Sequence, residues 1–471
     1  MKTADLHIVN VGVDAFLPAL DDSGAPHMHL DWRPPARGET HLIETLFRLE
    51  TRLVDEQGHS LIEQANAEAF QRLKAGQPVL KRVRPAHECL PHMTRTTIYH
   101  AGPPIAWNDM CGPMRGAFIG AVKYEGLAHT DEEAAQLMES GGVTYGPNHA
   151  HSAVGPMTGM ISYSMPLFEV ENETFGNKAY CTINEGIGQV MRFGANGPEV
   201  LDRLRWMETV LAPALDAAVV AAGGVNLKNI MAQALAMGDE MHQRNVAASL
   251  SFHKAICGEL CACSGPDQRD VVEFVARGNV QFFLNLAMAA CKSMADPARN
   301  IPYSTVITAM SRNGVNFGIH VSGLGDQWFT APCLKPDALY FPGYTEEDAN
   351  PDMGDSAIVE CCGIGGFAMG SSPAVVRFVG GGGLEDALRY TRDMRRVTVG
   401  ANSDLPMPNM DFAGVPLGID IRKVLATGVL PVINTGVAHR LPGVGQVGAG
   451  IVTPPMAVME DALNAFAARY C

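Results

Sequence analysis

Apolar and polar positions alternate along the chain in a pattern that predicts strands and helices mixed throughout. Residues 6–13, LHIVNVGV, form an apolar run that reads as a buried strand. HMHLDW, at 27–32, alternates and predicts a second strand, stopped by Pro34 and Pro35. From His41 to Gly76 the apolar period is helical, with breaks at Gly58 and Gly76. PVLKRVRP then supplies a strand that closes a small α/β unit near residue 86. Between 87 and 200, glycine, proline, aromatic and asparagine residues separate short apolar runs. Strand-like pieces around 165–171 and 178–184 flank the polar turn ENETFGN.

Helical periodicity returns over 198–224 and 225–260. The stretch VVEFVARGNVQFFLNLAMAACKSMAD is apolar on nearly every side, which predicts a central buried helix. From Ile301 onward the strand-like runs are NFGIHVSG, DALYFPG, AVVRFVGG and RRVTVGA. No internal repeat, low-complexity tail or heptad seam interrupts the pattern. The fold class expected is α/β, with a mixed α+β arrangement as the alternative, in several domains. These are an N-terminal α/β unit at 1–86, a mixed and helical central region at 87–300, and a glycine-rich α/β part at 301–471.

Composition narrows the function classes. The 471 residues are 47% hydrophobic and 18% charged, the balance of a globular chain with much buried surface. A net charge of -15 repels phosphate backbones, so nucleic-acid binding is not expected. Small anions are compatible with it, because a few local arginines outweigh a distant negative field. The eleven cysteines show no framework spacing, and no signal peptide or membrane-length apolar run is seen, so a cytoplasmic protein with reduced thiols is expected.

Several motifs are weak on physical grounds. GVGQVG at 443–448 matches a dinucleotide fingerprint, but no buried strand precedes it and Pro454 prevents a long helix after it. GIGGFAMG at 363–370 fails similarly at Pro373. Cys257, Cys261 and Cys263 follow His253 in a helical pattern, without the paired turns that zinc sites use. Cys361 and Cys362 are adjacent thiols and no more.

The segment YGPNHAHSAVGPM carries Asn148, His149 and His151 on a proline-flanked loop. The two histidines read as metal ligands, as acid–base groups, or as buried packing groups. Metal binding lacks companions beyond Glu171, so no metal is expected, whereas proton transfer or carbonyl polarisation suits a neutral imidazole. One histidine is expected to face the reacting group and the other to be held by a carboxylate, with Glu171 the candidate. Arg115 lies in the first turns of a predicted helix capped by Asn108 or Asp109, a place where a cation wants an anion. Asn172 and Asn177 sit at a turn between strands, and Asn184 and Glu185 follow the second strand. Arg312, Asn313, Asn316 and His320 precede a glycine-rich turn, and Asn434, Thr435 and His439 follow a short strand. Arg115, Asn148, Asn172, Glu185, Arg312, Asn316 and His320 are therefore candidate substrate-binding residues.

The blocks HAGPPIAWNDMCGPMRGA, NHAHSAVGPMTGMISYSMPLFEVEN, GNKAYCTINEGIGQVMRFGAN and SRNGVNFGIHVSG resemble those of the YlbE/YahG-like family across nearly the whole chain. That family is commonly encoded beside FdrA-like proteins, and its AllG-type branch is a subunit of oxamate carbamoyltransferase in allantoin breakdown. The resemblance implies carbamoyl transfer between a small amide or ureido acid and phosphate, with carbamoyl phosphate on one side of the reaction. It implies an FdrA-like partner subunit, no organic cofactor or metal, and a homo-oligomer. The competing expectations are an amide or cyclic-imide hydrolase, and a non-catalytic scaffold for the FdrA-like partner.

Overall fold

The computed structural model describes residues 7–30, 32–262, 267–380 and 382–471. Its centre is a five-stranded sheet in the spatial order 225–226, 78–85, 166–172, 178–182 and 153–154. The long pairs are antiparallel, and only the short strand 153–154 runs parallel to its neighbour. The two strand-like pieces around the ENETFGN turn form as Pro166–Asn172 and Lys178–Thr182. Strand Pro78–Pro85, which the sequence places at the close of an N-terminal unit, pairs instead with Pro166–Asn172. Its apolar residues Leu80 and Val83 are buried, and the cover they need comes from distant parts of the chain.

Helix Phe282–Ala295 packs on this sheet with all 14 of its side chains buried, as its all-round apolar pattern predicts. A second, four-stranded sheet has the order 329–332, 316–321, 307–313 and 353–354. Three-stranded sheets form from 144–147, 97–100 and 161–162, and from 337–340, 446–452 and 433–438. One hydrophobic core runs from Ala36 to Ala467, through all three regions read from the sequence. The molecule is thus a mixed α/β fold. Among the described residues, no helix is long and apolar enough to cross a membrane.

Three local expectations change. The strand at Ile8–Val11 forms, but it is not buried: Val9 and Val11 are exposed in a two-stranded parallel pair with His27–Leu30. AVVRFVGG is no strand, because Pro373 opens a helix, Pro373–Phe378, that buries Val375 and Val376. Proline's fixed φ suits a first helical turn, and packing overrides the β preference of valine. Helix Gly112–Tyr124 starts from Cys111 without a side-chain cap, and Asp109 closes a separate short turn ahead of it. Helix Val246–Ala262 carries His253, Cys257 and Cys261, while Cys263 lies outside the described residues.

Candidate active site

Pro147 leads strand 144–147 into a short helical turn, Asn148–His151, and Ser152 leaves it with a left-handed φ of 54°. The turn sends its two histidines to opposite sides. Asn148 is buried and donates to the Gly159 carbonyl at 2.8 Å and to Asp355 at 2.9 Å. Asp355 is fully buried, and its carboxylate also accepts from the Gly155 and Gly102 amides and from the Ser311 hydroxyl. Gly102 makes this possible: φ is 87°, and a Cβ there would lie 2.5 Å from the Asn313 backbone.

His149 Nε2 lies 3.6 Å from the Asp355 carboxylate, within electrostatic reach but longer than a hydrogen bond. Neither ring nitrogen of His149 has a hydrogen-bond partner among the described residues, although the ring is fully buried. Its edge meets Trp328 at 5.8 Å and His320 at 6.4 Å, and His320 lies against Trp328 at 3.8 Å. Trp328 is seated over Gly318, where a Cβ would come within 2.7 Å of the indole. Lys292, from the buried helix, ion-pairs with Asp296 at 2.6 Å and reaches the His149 carbonyl at 3.4 Å.

Burial pushes the His149 pKa well below its ordinary value, and the charges of Lys292 and Arg299 push the same way. Burial likewise brings His320 down to about 3. Both rings are therefore neutral at pH 7, each able to donate from one nitrogen and accept at the other. Asp355 is raised by burial, which its hydrogen bonds from Ser311 and Asn148 partly offset. Burial also lowers Lys292, against the pull of Asp296.

Arg312 serves this cluster indirectly. It is fully buried and meets both oxygens of Asp352, at 2.7 and 3.2 Å, while its third nitrogen donates to the Gly354 carbonyl at 2.8 Å. Thr435 joins the pair by donating to Asp352 at 2.7 Å. With all three guanidinium nitrogens engaged by protein oxygens, Arg312 fixes the 352–356 segment that presents Asp355. Asn148, His149 and His320 thus come together, with Arg312 behind them.

The other residues read from the sequence lie elsewhere. Arg115 locks its own loop by donating to the Met110 and Asn108 carbonyls, over the Trp107 ring. Glu171 stands on the central sheet opposite Val79 and Lys178, so the carboxylate beside His149 is Asp355 instead. Asn172 ties the sheet to the buried helix through the Ser293 carbonyl. Asn316 opens the strand opposite Pro332. Glu185 accepts from the Met191 and Arg192 amides and borders a cavity of about 30 Å³ with Arg192 and Asn285. Burial lowers the Arg192 pKa to about 10 there.

His151 faces an open cleft of about 460 Å³ and stacks on Tyr99 with ring centroids 3.8 Å apart. Cys89, Lys178 and Tyr180 line the same cleft. Lys178 and Arg84 both pair with Glu169 beneath it. Burial pushes the Cys89 thiol up to about 12, so it is protonated and a poor nucleophile at neutral pH.

Sequence reasoning missed Asp355, Lys292, Trp328 and the Glu240 network. Lys292 had a signal, as the one charged side chain within Phe282–Ala295, the most apolar part of the stretch read as core. In that network, Glu240 accepts from the Gln243 and Arg244 amides and from Asn434, while His242 pairs with Glu360 at 2.7 Å. Burial raises Glu240 from 4.5 to about 7. Between those values the folded chain holds a proton that the unfolded chain has released. This contribution to stability is therefore present below the unfolded carboxyl value and is lost as pH rises through about 7. Urea melts from pH 5 to 8 are expected to show the stability of the wild type falling with pH relative to Glu240→Gln. A constant difference between the two would remove the assignment. Among the described residues, no three His, Cys, Asp or Glu side chains are placed to hold a metal ion.

Comparison with known proteins gives this geometry a context. A family model described as oxamate carbamoyltransferase subunit AllG matches residues 143–356, a span that holds the histidine turn, Lys292, Arg312, His320 and Asp355. The chain is 47% identical over 410 residues to oxamate carbamoyltransferase subunit AllG of Escherichia coli (strain K12), covering 86% of this chain and 98% of that protein. It is 44% identical over 468 residues to the uncharacterized protein YahG of the same strain, covering 99% and 98%. A crystal structure of a conserved protein of unknown function from Enterococcus faecalis V583 superposes with a TM-score of 0.85 at 45% identity, over 87% of this chain and 98% of that one.

Proposed function

This chain belongs to the AllG family, and on that premise we propose that it is a carbamoyltransferase subunit acting at the inner side of the histidine turn. The reaction is carbamoyl transfer between an oxamate- or oxalurate-like acid and phosphate. In the degradative direction a phosphate oxygen attacks the ureido carbonyl of oxalurate. The bond to the oxamate nitrogen breaks, that nitrogen takes a proton, and carbamoyl phosphate and oxamate leave.

The observation that carries the reading is the buried, neutral His149 beside Asp355, with neither ring nitrogen hydrogen-bonded to any of the described residues. A proton on Nε2, turned toward Asp355, leaves Nδ1 to take the proton of hydrogen phosphate and return it to the departing nitrogen. His320 Nε2 and the Lys292 ammonium supply donors for the oxyanion and for ligand charge. His151 belongs to the outer cleft and supports the turn, where a glutamine replacement is expected to lower turnover by less than about 10-fold.

The test is to purify the chain with and without its FdrA-like partner and to assay oxalurate phosphorolysis. Carbamoyl phosphate formed with oxamate in equal amounts supports the proposal. Oxamate formed without carbamoyl phosphate, independently of added phosphate, would move the assignment to an amide hydrolase. A complex whose activity survives changes at His149 and Asp355 would make this chain a scaffold.

A further inference from the structure

Arg312, Arg82 and Arg422 each hold an aspartate by one edge, with Nε on one carboxylate oxygen and Nη2 on the other. Arg299 has the same edge half used. It follows the turn Asp296–Ala298 at the end of the buried helix, and its side chain is 18% exposed. Nη2 donates to Asp326, while Nε is buried and has no hydrogen-bond partner among the described residues. An edge built for two oxygens holds one.

The partner on that edge is easily replaced. Asp326 is 73% exposed, and a pair with an exposed carboxylate contributes little because water and salt screen it. Arg84 also leaves Nε unpartnered, but its Glu169 is buried and shared with Lys178, and so stays in place. Behind Arg299 two cations share one carboxylate oxygen: Asp296 Oδ1 meets Lys292 at 2.6 Å and Arg299 Nη1 at 3.5 Å. Asp296 Oδ2 is buried without a partner among the described residues, an acceptor for an amide N–H or for the O–H of hydrogen phosphate. Both ends of this group reach the histidines. Lys292 approaches the His149 carbonyl, and Trp328, two residues beyond Asp326, lies against His320.

We propose that Arg299 is the oxyanion-binding side chain of this site, with Asp326 holding its edge until a carboxylate or phosphate group takes both Nε and Nη2. The inference rests on the reading of the His149 side of the turn as the reacting site. The exchange returns the Asp326 carboxylate to water and leaves no charge unpaired in the core.

The test titrates full-length wild type, Arg299→Lys and Asp326→Asn by calorimetry, with oxamate and separately with inorganic phosphate. Arg299→Lys keeps the charge but loses the fork, so affinity is expected to fall by about 10-fold or more. Asp326→Asn removes the competitor at an exposed position. Affinity is then expected to rise by about 2- to 5-fold, at an unchanged melting temperature. A pair that only braces the loop gives no such gain. If Arg299→Lys melts early, the sign of the change in Asp326→Asn decides alone. The probe that responds tells a carboxylate from a phosphate subsite. The proposal is overturned if the wild type binds neither probe, if folded Arg299→Lys binds as the wild type does, or if Asp326→Asn binds no more tightly. Binding is read without turnover, so a chain that binds the anion through Arg299 in an assembly lacking carbamoyl transfer counts against the proposed function alone.

Discussion

On the proposed function, replacing His149 by glutamine is expected to lower the turnover of carbamoyl transfer by at least about 10²-fold, with the fold intact. Glutamine keeps a planar polar group in the space of the ring but cannot cycle a proton. General acid–base catalysis usually supplies about 10²–10⁴-fold. The loss should fall on kcat, because the proposed relay would act as the bond to nitrogen breaks and not in ground-state binding. Asp355→Asn should follow with a smaller loss if the carboxylate orients and stabilises the ring. It also tests the local hydrogen bonds, since Asp355 accepts from Gly102, Gly155, Asn148 and Ser311. Single-turnover rates for the two variants, measured beside their melting temperatures, separate chemistry from folding. A His149→Gln complex that turns over at the wild-type rate would reduce the ring to a packing group.

Asp352→Ala is expected to produce the largest loss of stability. The substitution removes the partner of a fully buried guanidinium and leaves the Arg312 charge uncompensated in the core. Breaking a buried pair in this way typically costs about 3–5 kcal/mol. It also frees Thr435 and loosens the segment that carries Asp355. Adding Arg312→Met to Asp352→Ala should recover part of the loss, because the unpaired charge then disappears. Chemical denaturation of the two single variants and the double variant measures this directly. If Asp352→Ala melts within about 1 kcal/mol of wild type, Arg312 is not held as described, and its guanidinium returns as a candidate for binding anions.

Local patterning determined the elements whose signals are contained within a few residues. The all-round apolar period of 282–295 fixed a buried helix, and the alternation around ENETFGN fixed two antiparallel strands. The same physics misled where burial depends on distant partners. An apolar run at 8–11 looks like a core strand in any sequence, yet among the described residues Val9 and Val11 stay exposed. AVVRFV has the composition of a strand, and Pro373 together with the packing of Val375 and Val376 makes it helical.

The candidate site divides along the same line. The sequence determined that the chain carries unusual polar blocks, and that a proline-flanked loop holds Asn148, His149 and His151 in fixed places. Two histidines separated by one residue do not announce that a short helical turn sends them to opposite sides. Only the tertiary structure decided that Asp355, 206 positions beyond His149 in the chain, is the carboxylate at its ring, and that Glu171 pairs across a sheet instead. It also turned Arg312 inward, onto Asp352. The reason is that a buried charge or imidazole is defined by what encloses it. Hydrogen bonds and desolvation act over a few ångströms, and the folded chain brings residues from remote segments within that range.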